Sequence, residues 1–299
     1  MTLETEGLTL FQAARNMGVD FPAEVHPEDR EVVLNGRKFH YLDWGSPDKE
    51  PMLFLHGVLQ QGHSWDFVSL GLCSDYHVMA LDARGHGDSQ WAEDGDYSLD
   101  AHQRDLDAFA DVLGLRNIIL VGHSMGGRNS YVFTSRRPDV VKALVIVDTG
   151  PRVQRQGVSR IQHFRELPDE LDSYEEFADR IQEYTGRTRQ QVLGALKYSI
   201  RRREDGKWTW KYDKILRSPG FQAPSWTPDQ LWECLGSIGI PTLVIRGDRS
   251  DLFTQETLDK MMETIPNSTS AVVSGAGHLV AGDNPAGFIQ ALRSFLDGI

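Results

Sequence analysis

The chain has 299 residues, of which 40% are hydrophobic and 25% charged, and its formal net charge at pH 7 is −12. These proportions are typical of a globular protein with a large core, and the length allows one or two domains. The acidic balance argues against nucleic acid or an anionic membrane surface as the main partner. We therefore expect a small-molecule substrate and leave open whether the chain forms a homo-oligomer.

The cysteine content and the N-terminal residues bear on location. The two cysteines, Cys73 and Cys234, lie far apart, which excludes a disulfide framework and favours reduced thiols in the cytoplasm. The first seven residues are acidic and lack the basic and apolar regions of a signal peptide. No run of 18 apolar residues is present, so the sequence predicts no membrane span.

The predicted elements begin with a helix near residues 8–18, which we expect to pack on the protein's own surface. The dipeptide Asn35-Gly36 then predicts a hairpin between two apolar runs. After it, short apolar strands alternate with helical patterns, as in a mostly parallel sheet with helices on both faces. Strands are predicted at 52–55, 77–81, 117–121, 141–147, 242–246 and 268–274, and helices near 65–73, 99–113, 125–136, 255–265 and 284–296.

The alternation stops after Pro151 and resumes at Thr242. Between them the chain is polar, and an inserted helical cap over the carboxyl edge of the sheet is the simplest interpretation. The chain then divides into an N-terminal extension (1–24), a core (25–151 and 239–299) and the cap (152–238). Within the cap, helices are predicted around 159–166, 173–184 and 188–203, followed by a turn at Asp205-Gly206.

The most informative segment is Gly122–Gly126, which reads Gly-His-Ser-Met-Gly. It follows a predicted strand and precedes a predicted helix, which is the context of a nucleophile elbow. Such a turn holds the serine in a strained backbone conformation at the carboxyl edge of a sheet and at a helix N-terminus. Ser124 is therefore the predicted nucleophile.

A serine nucleophile needs a base within hydrogen-bond reach. His278 follows the last predicted strand, in the segment Gly275-Ala276-Gly277-His278, and so lies at the same edge of the sheet as Ser124. The chain order serine, acid, histidine is the one expected for this motif. His278 is the predicted base.

The acid that orients the histidine should follow a strand between Ser124 and His278. Asp251 and Asp248 both lie in the loop after strand 242–246. Asp251 is preferred because it sits deeper in the loop, directly before an apolar pair that can anchor it. Asp148, at the end of strand 141–147, is a third alternative, and its other interpretation is a structural carboxylate at the turn into the cap.

An oxyanion hole requires two backbone N–H groups. Met125, directly after the nucleophile, and Val58, in the loop after strand 52–55, are the predicted donors. Three side chains near that loop are candidate substrate contacts: His56, His63 and Trp65. For His56 a supporting role in the loop is preferred, and for His63 and Trp65 packing of the first core helix is an equal alternative.

The segment Asp82–Ser89 invites a phosphate-loop or metal interpretation. It lacks the Gly-Lys-Ser/Thr of a phosphate loop, and its single histidine and its aspartates match no common metal spacing. We therefore predict a hydrogen-bonded structural turn and no metal.

Four motifs occur together and in order: His56-Gly57, Asp82-x-Arg84-Gly85-His86-Gly87-x-Ser89, Gly122–Gly127 and Gly275-x-Gly277-His278. With them the chain resembles the α/β-hydrolase superfamily, in its capped single-domain branch, over nearly everything from about residue 30 onward. The resemblance implies an α/β fold with an eight-stranded, mostly parallel sheet, an inserted cap and no cofactor. One departure concerns the acid loop, since the family commonly has Asp at the position of Ser250.

The resemblance also narrows the chemistry. Family members that act on haloalkanes or epoxides carry an aspartate at the elbow, whereas Ser124 points to acyl transfer to water through an acyl-enzyme. A carboxylic ester, a lactone or a related acyl substrate fits, as does carbon–carbon bond hydrolysis of vinylogous diketones. A non-hydrolytic receptor or scaffold is the alternative from another class. In the cap, Trp208, Trp210 and Tyr212 fall on one face and either line the pocket or pack the cap.

Overall fold

A twisted sheet forms the centre of the structure, a computed structural model that describes residues 8–152, 154, 163–164, 166–218, 221 and 226–299. The sheet has eight strands in the order β1-β2-β4-β3-β5-β6-β10-β11. β2 runs antiparallel to both β1 and β4, and the other neighbours are parallel. The predicted α/β architecture is thereby confirmed. The strands are β1 (Glu28–Leu34), β2 (Arg37–Asp43), β3 (Pro51–Leu55), β4 (His77–Leu81), β5 (Ile118–His123), β6 (Val141–Val147), β10 (Thr242–Gly247) and β11 (Ser268–Val273).

The opening hairpin turns at Asn35-Gly36, where φ is 52° and 78° respectively. Both values lie in the left-handed region, which glycine and asparagine tolerate best. Turn chemistry thus fixes the register of β1 on β2, and the hairpin adds the antiparallel edge that its sequence predicts.

Helices cover both faces of the sheet, and the helix boundaries in the core lie within a few residues of those predicted. No helix in the described part of the chain is long and apolar enough to cross a membrane. The helices are α1 (Leu10–Asn16), α2 (Asp66–Leu72), α3 (Leu99–Val112), α4 (Met125–Arg136), α5 (Tyr174–Thr185), α6 (Arg189–Leu196), α7 (Pro228–Gly236), α8 (Gln255–Thr264), α9 (Val280–Asp283) and α10 (Pro285–Leu296).

Strand β5 shows why the apolar runs of the core are continuous. Ile118 and Leu120 belong to one buried cluster, together with residues of α3, α4 and α8. Ile119 and Val121 belong to a second cluster on the opposite face, together with residues of α1, α2 and α10. Successive side chains of a strand point to opposite faces, so a strand covered on both sides is apolar at every position. The carboxyl end of β5 is held rigidly as a result.

The segment between β6 and β10 differs in part from the helical cap expected. It contains α5, α6, α7 and a small antiparallel sheet in the order β7-β9-β8. The helix predicted for 188–203 ends at Leu196 because Ile200 pairs with Trp210 across the turn at Asp205-Gly206. The helix predicted for 159–166 falls largely outside the described residues. The strands of the small antiparallel sheet are β7 (Glu170–Leu171), β8 (Ile200–Arg202) and β9 (Trp208–Trp210).

Candidate active site

The turn from β5 into α4 is as sharp as its sequence predicts. Ser124 adopts φ 53° and ψ −113°, a strained conformation for a residue other than glycine. A Cβ atom at Gly122 would lie 2.3 Å from the carbonyl oxygen of Gly126, and one at Gly126 would lie 2.3 Å from that of Leu55. Only glycine fits these two positions. The turn therefore presents the Ser124 hydroxyl at the carboxyl edge of the sheet.

His278 is held by the loop that follows β11. The carboxylate of Asp248 accepts a 3.1 Å hydrogen bond from the Ala276 N–H, and that of Asp283 accepts a 2.9 Å bond from the Gly277 N–H. The loop brings Nε2 of His278 to 3.1 Å from the hydroxyl oxygen of Ser124. The structure thus places the predicted base within hydrogen-bond reach of the predicted nucleophile.

The carboxylate beside His278 belongs to Asp148. Its Oδ2 accepts a 2.8 Å hydrogen bond from Nδ1 of His278. Its oxygens also accept bonds from the Gly247 N–H, at 2.9 Å, and from the Ser250 hydroxyl, at 2.5 Å. Asp148 is 1% exposed, and its φ of 51° turns the chain sharply at the end of β6. The structure thus puts Asp148, the third alternative from the sequence, in the contact with His278 that was expected for Asp251.

The order of the strands explains why the sequence does not distinguish Asp148 from the aspartates of the next loop. β6 and β10 are neighbours, with Val147 paired to Ile245, so the loops that follow them end at one place. A carboxylate from either loop can reach the imidazole, and loop position in the sequence does not distinguish them. Ser250 then acts as a donor to Asp148, and Asp248 braces the histidine loop.

A second histidine, His123, links the elbow to the base. Its Nε2 lies 2.8 Å from the backbone carbonyl oxygen of His278. Burial, followed by the neighbouring His278, holds the pKa of His123 well below its usual value, so the ring is neutral and carries one N–H. We assign that N–H to Nε2, which faces the carbonyl. This role of His123 is not predicted from the sequence, although its position inside the elbow motif places it beside the base.

The two predicted oxyanion donors lie in different loops: Val58 follows β3, and Met125 follows Ser124 at the start of α4. Among the described residues, none accepts a hydrogen bond from the backbone N–H of Val58 or of Met125. His56 is 1% exposed; its Nδ1 donates to the Gly57 carbonyl, at 2.8 Å, and its Nε2 accepts from the Ala83 N–H, at 3.0 Å. His56 therefore supports the loop, as preferred from the sequence, and is not placed to contact substrate.

A cavity of about 180 Å³ opens over Ser124 and His278. Trp210 and Tyr212 of the inserted segment line it, and their rings stack on each other with centroids 5.5 Å apart. Trp208 is not among the described residues that line it and instead packs edge-on against Tyr174. The aromatic face predicted from the sequence is thus divided between the cavity and the packing of the inserted segment.

The two remaining candidate substrate contacts, Trp65 and His63, also have different surroundings. Trp65 is 2% exposed and packs against Phe54 and Phe288, so it belongs to the core. His63 lines the cavity, and its Nδ1 lies 2.9 Å from a carboxylate oxygen of Asp66. Of these two side chains, only His63 lines the cavity over Ser124.

The turn at Asp82 is dense with hydrogen bonds. Its Oδ1 accepts from the Gly62 N–H at 2.6 Å, and its Oδ2 accepts from Nδ1 of His40 at 2.8 Å and from the Asp88 N–H at 2.9 Å. The side-chain atoms of His40, Asp82 and Asp88 that could bind a metal all lie within 4.8 Å of one another, a spacing compatible with a bound cation. Because both oxygens of Asp82 are already engaged with the protein, the geometry supports the structural turn.

The comparisons with known proteins agree with this architecture. The sequence profile of a family described as alpha/beta hydrolase fold matches residues 50–285. Esterase Rv0045c of Mycobacterium tuberculosis is 30% identical, over 96% of this chain and 94% of its own. Its crystal structure superposes with a TM-score of 0.79 at 27% identity and covers 99% of both chains. A 3-hydroxybutyrate-oligomer hydrolase of Cupriavidus necator is 28% identical, over 85% of this chain and 92% of its own. The chain thus belongs to the α/β-hydrolase family and is a hydrolase.

Proposed function

We propose that the chain is a serine hydrolase that cleaves a carboxylic ester, lactone or related acyl substrate through an acyl-enzyme. The observation that carries the proposal is the continuous line of contacts from Ser124 to His278, at 3.1 Å, and from His278 to Asp148, at 2.8 Å. A hydroxyl, an imidazole and a buried carboxylate in this order are the parts needed to activate a serine.

In the first half of the reaction, the Ser124 oxygen attacks the carbonyl carbon of the substrate. Nε2 of His278 takes the hydroxyl proton, and Asp148 stabilises the resulting imidazolium. The oxygen of the tetrahedral intermediate accepts hydrogen bonds from the Val58 and Met125 N–H groups. When the intermediate collapses, His278 returns the proton to the leaving alcohol and an acyl-Ser124 ester remains.

In the second half, water replaces the alcohol. His278 takes a proton from the water as its oxygen attacks the acyl carbon, and the same two N–H groups hold the oxyanion. The bond to Ser124 then breaks, the serine oxygen regains its proton from His278, and the carboxylic acid leaves. His123 has a supporting role in both halves, because its hydrogen bond to the carbonyl of His278 fixes the base loop.

We further propose that residues 152–238 act as a lid that selects the substrate without taking part in the chemistry. Support comes from Trp210 and Tyr212, which line the cavity together with Ser124. An ion pair also joins the lid to the core: Arg187 lies 3.3 Å from Asp283, whose other oxygen braces the loop of His278. Closure over the cavity would exclude water and shape the acyl pocket.

The proposal is tested by a hydrolysis screen over ester chain lengths, lactones and dienoate diketones. Ser124→Ala should lower kcat by about 10³-fold or more, since only binding and the oxyanion donors remain. Ser294→Ala, at an exposed position of α10, is the matched control and should keep wild-type rates.

Esters or lactones as the fastest substrates would support the proposal, whereas fastest cleavage of the diketones would replace it with carbon–carbon bond hydrolysis. Folded protein that neither hydrolyses any of these compounds nor reacts with a fluorophosphonate would favour a non-hydrolytic receptor or scaffold.

A further inference from the structure

A second cavity, of about 120 Å³, lies beside the one over Ser124. Three parts of the chain build it: the N-terminal segment around α1, the helix α6 and the core around α2 and α9. Its lining includes Leu8, Leu10 and Ala13 from the first part and Gly194 and Tyr198 from the second. None of these five residues lines the first cavity. The N-terminal segment therefore forms a wall that the hydrolase core does not supply.

The two cavities adjoin, because several residues line both. Among the shared residues are Gln60, His63, Ala195 and Leu279. The imidazole of His63 is stacked on the ring of Tyr198, with centroids 3.6 Å apart and planes 14° apart. Since His63 lines both cavities and Tyr198 lines only the second, this stacked pair stands at the boundary between them.

The N-terminal segment is firmly attached on both sides. Ala14 is fully buried in the cluster that contains α2 and α10. On the other side, a Cβ atom at Gly194 of α6 would lie 3.1 Å from the carbonyl oxygen of Leu8, so the chain just before α1 approaches α6 closely. The wall is thus packed against both the core and the lid.

The reactive groups lie in one cavity of the pair. Ser124, His278 and the oxyanion loop line the first. The second has apolar lining from Leu8, Leu10 and Ala13, and its charged side chains are engaged with the protein: Asp66 with His63, Arg187 with Asp283, and Lys197 over the ring of Tyr198. A ligand that fits both has a reactive polar group at one end and an apolar chain at the other.

We infer that the two cavities form one substrate site, in which the second holds the apolar chain of an ester whose carbonyl lies at Ser124. This inference rests on the proposed function and names its substrate class: esters with an unbranched alkyl chain too long for the first cavity. The stacked pair of His63 and Tyr198 borders the passage and sets how far the chain enters. Each methylene buried there should raise kcat/KM by about fourfold, which corresponds to about 0.8 kcal/mol.

The test compares long and short chains in two ester series, one varied in the acyl chain and one in the alcohol chain. Ala13→Leu fills the second cavity and should lower the ratio of kcat/KM for octyl-length to ethyl-length chains by about tenfold or more in one series. Asn16→Leu adds the same side chain on the exposed face of α1 and should keep the wild-type ratio. Tyr198→Ala removes one ring from the passage and should raise the ratio.

The series that responds identifies the acyl or the alcohol part as the occupant. A ratio unchanged by Ala13→Leu in both series, or a ratio lowered by Tyr198→Ala, would overturn the inference, provided that the variants keep wild-type thermal unfolding. Failure of the proposed function is a separate outcome, in which wild-type protein hydrolyses none of the esters at any chain length.

Discussion

Oδ2 of Asp148 lies 2.8 Å from Nδ1 of His278, although 130 positions separate the two residues. The same carboxylate is almost completely buried and accepts two further hydrogen bonds, from Gly247 and Ser250. A buried carboxylate that is fully hydrogen-bonded is held in one orientation, and it fixes the tautomer of its histidine partner. The hydrogen bond between Asp148 and Nδ1 of His278 therefore keeps Nε2 of the same ring facing Ser124.

Replacing the acid should remove most of the activity. We predict that Asp148→Asn lowers kcat/KM by up to about 10⁴-fold, because the imidazole loses both its tautomer and its counter-charge. Asp251→Asn is the matched comparison and should have a much smaller effect. Kinetics on any substrate found in the screen provide the measurement, and a dominant loss in Asp251→Asn would contradict the role of Asp148.

The hydroxyl of Ser250 is predicted to position Asp148. Ser250→Ala removes a 2.5 Å hydrogen bond to the carboxylate and should lower kcat by about tenfold, with little change in KM. Ser250→Thr keeps a hydroxyl and should recover most of kcat. If the alanine and threonine variants lose equal activity, the hydrogen bond is not what matters at this position.

A tightly packed glycine of the elbow, Gly126, is predicted to be required for stability. Gly126→Ala places a methyl group 2.3 Å from the Leu55 carbonyl oxygen and should lower the free energy of unfolding by about 1–3 kcal/mol or more. Gly239→Ala is the control, since a Cβ atom there meets nothing within 4 Å. Denaturant unfolding of both variants measures the difference, and equal midpoints would contradict the tight turn.

Asp283 is predicted to couple the lid to the base loop. Asp283→Ala removes the acceptor of the Gly277 N–H and should lower kcat by about tenfold. Arg187→Met breaks the contact between lid and core and also changes the lining of the cavity, so it should act mainly on KM. The exposed pair of Arg293 and Asp75 supplies the control, because Asp75→Ala should leave both constants unchanged. A kcat effect as large for Arg187→Met as for Asp283→Ala would argue against separate roles.

We predict that the free energy of unfolding decreases in mild acid, because several histidines are buried in the neutral form. Burial lowers the pKa of His86 from 6.5 to about 3, and it also lowers the pKa of His56, His102 and His123. Above pH 6.5 these rings are neutral in both states. As the pH falls further, the unfolded chain takes up protons that the folded chain refuses, so stability decreases by up to about 1.4 kcal/mol per pH unit for each histidine.

His86→Asn isolates one of these contributions. Asparagine can still donate to the Arg84 carbonyl, which accepts from Nδ1 of His86, but it does not titrate. Urea unfolding between pH 7.5 and pH 5 should therefore show a slope smaller by up to about one proton in the variant. An identical slope in wild type and variant would mean that His86 is not neutral in the folded protein.

Local sequence predicts the core of this protein well. The run Ile118–Val121, the glycines around Ser124 and the dipeptide Asn35-Gly36 each specify their structure within a few residues. Buried strands and sharp turns have strong local requirements, so their patterns are visible in the sequence. The strand order then places Ser124 and His278 together.

The parts that local sequence does not predict depend on partners elsewhere in the chain. Ile200 forms a strand instead of continuing a helix because its pairing partner is Trp210. The sequence alone does not distinguish Asp148 from Asp251 as the partner of His278. Both follow strands, β6 and β10, that are neighbours in space. The roles of Ser250 and His123 depend on contacts with Asp148 and His278. Cytoplasmic location stays a prediction from the sequence.

The most direct test of the account is the site of covalent labelling by a fluorophosphonate. Peptide mass spectrometry of the treated wild-type protein should find one adduct, on the peptide that contains Ser124. The adduct should be absent in Ser124→Ala and should form far more slowly in Asp148→Asn, because the base is no longer oriented. An adduct on another residue, or none in folded protein that hydrolyses its substrate, would contradict the assignment of Ser124 as the nucleophile.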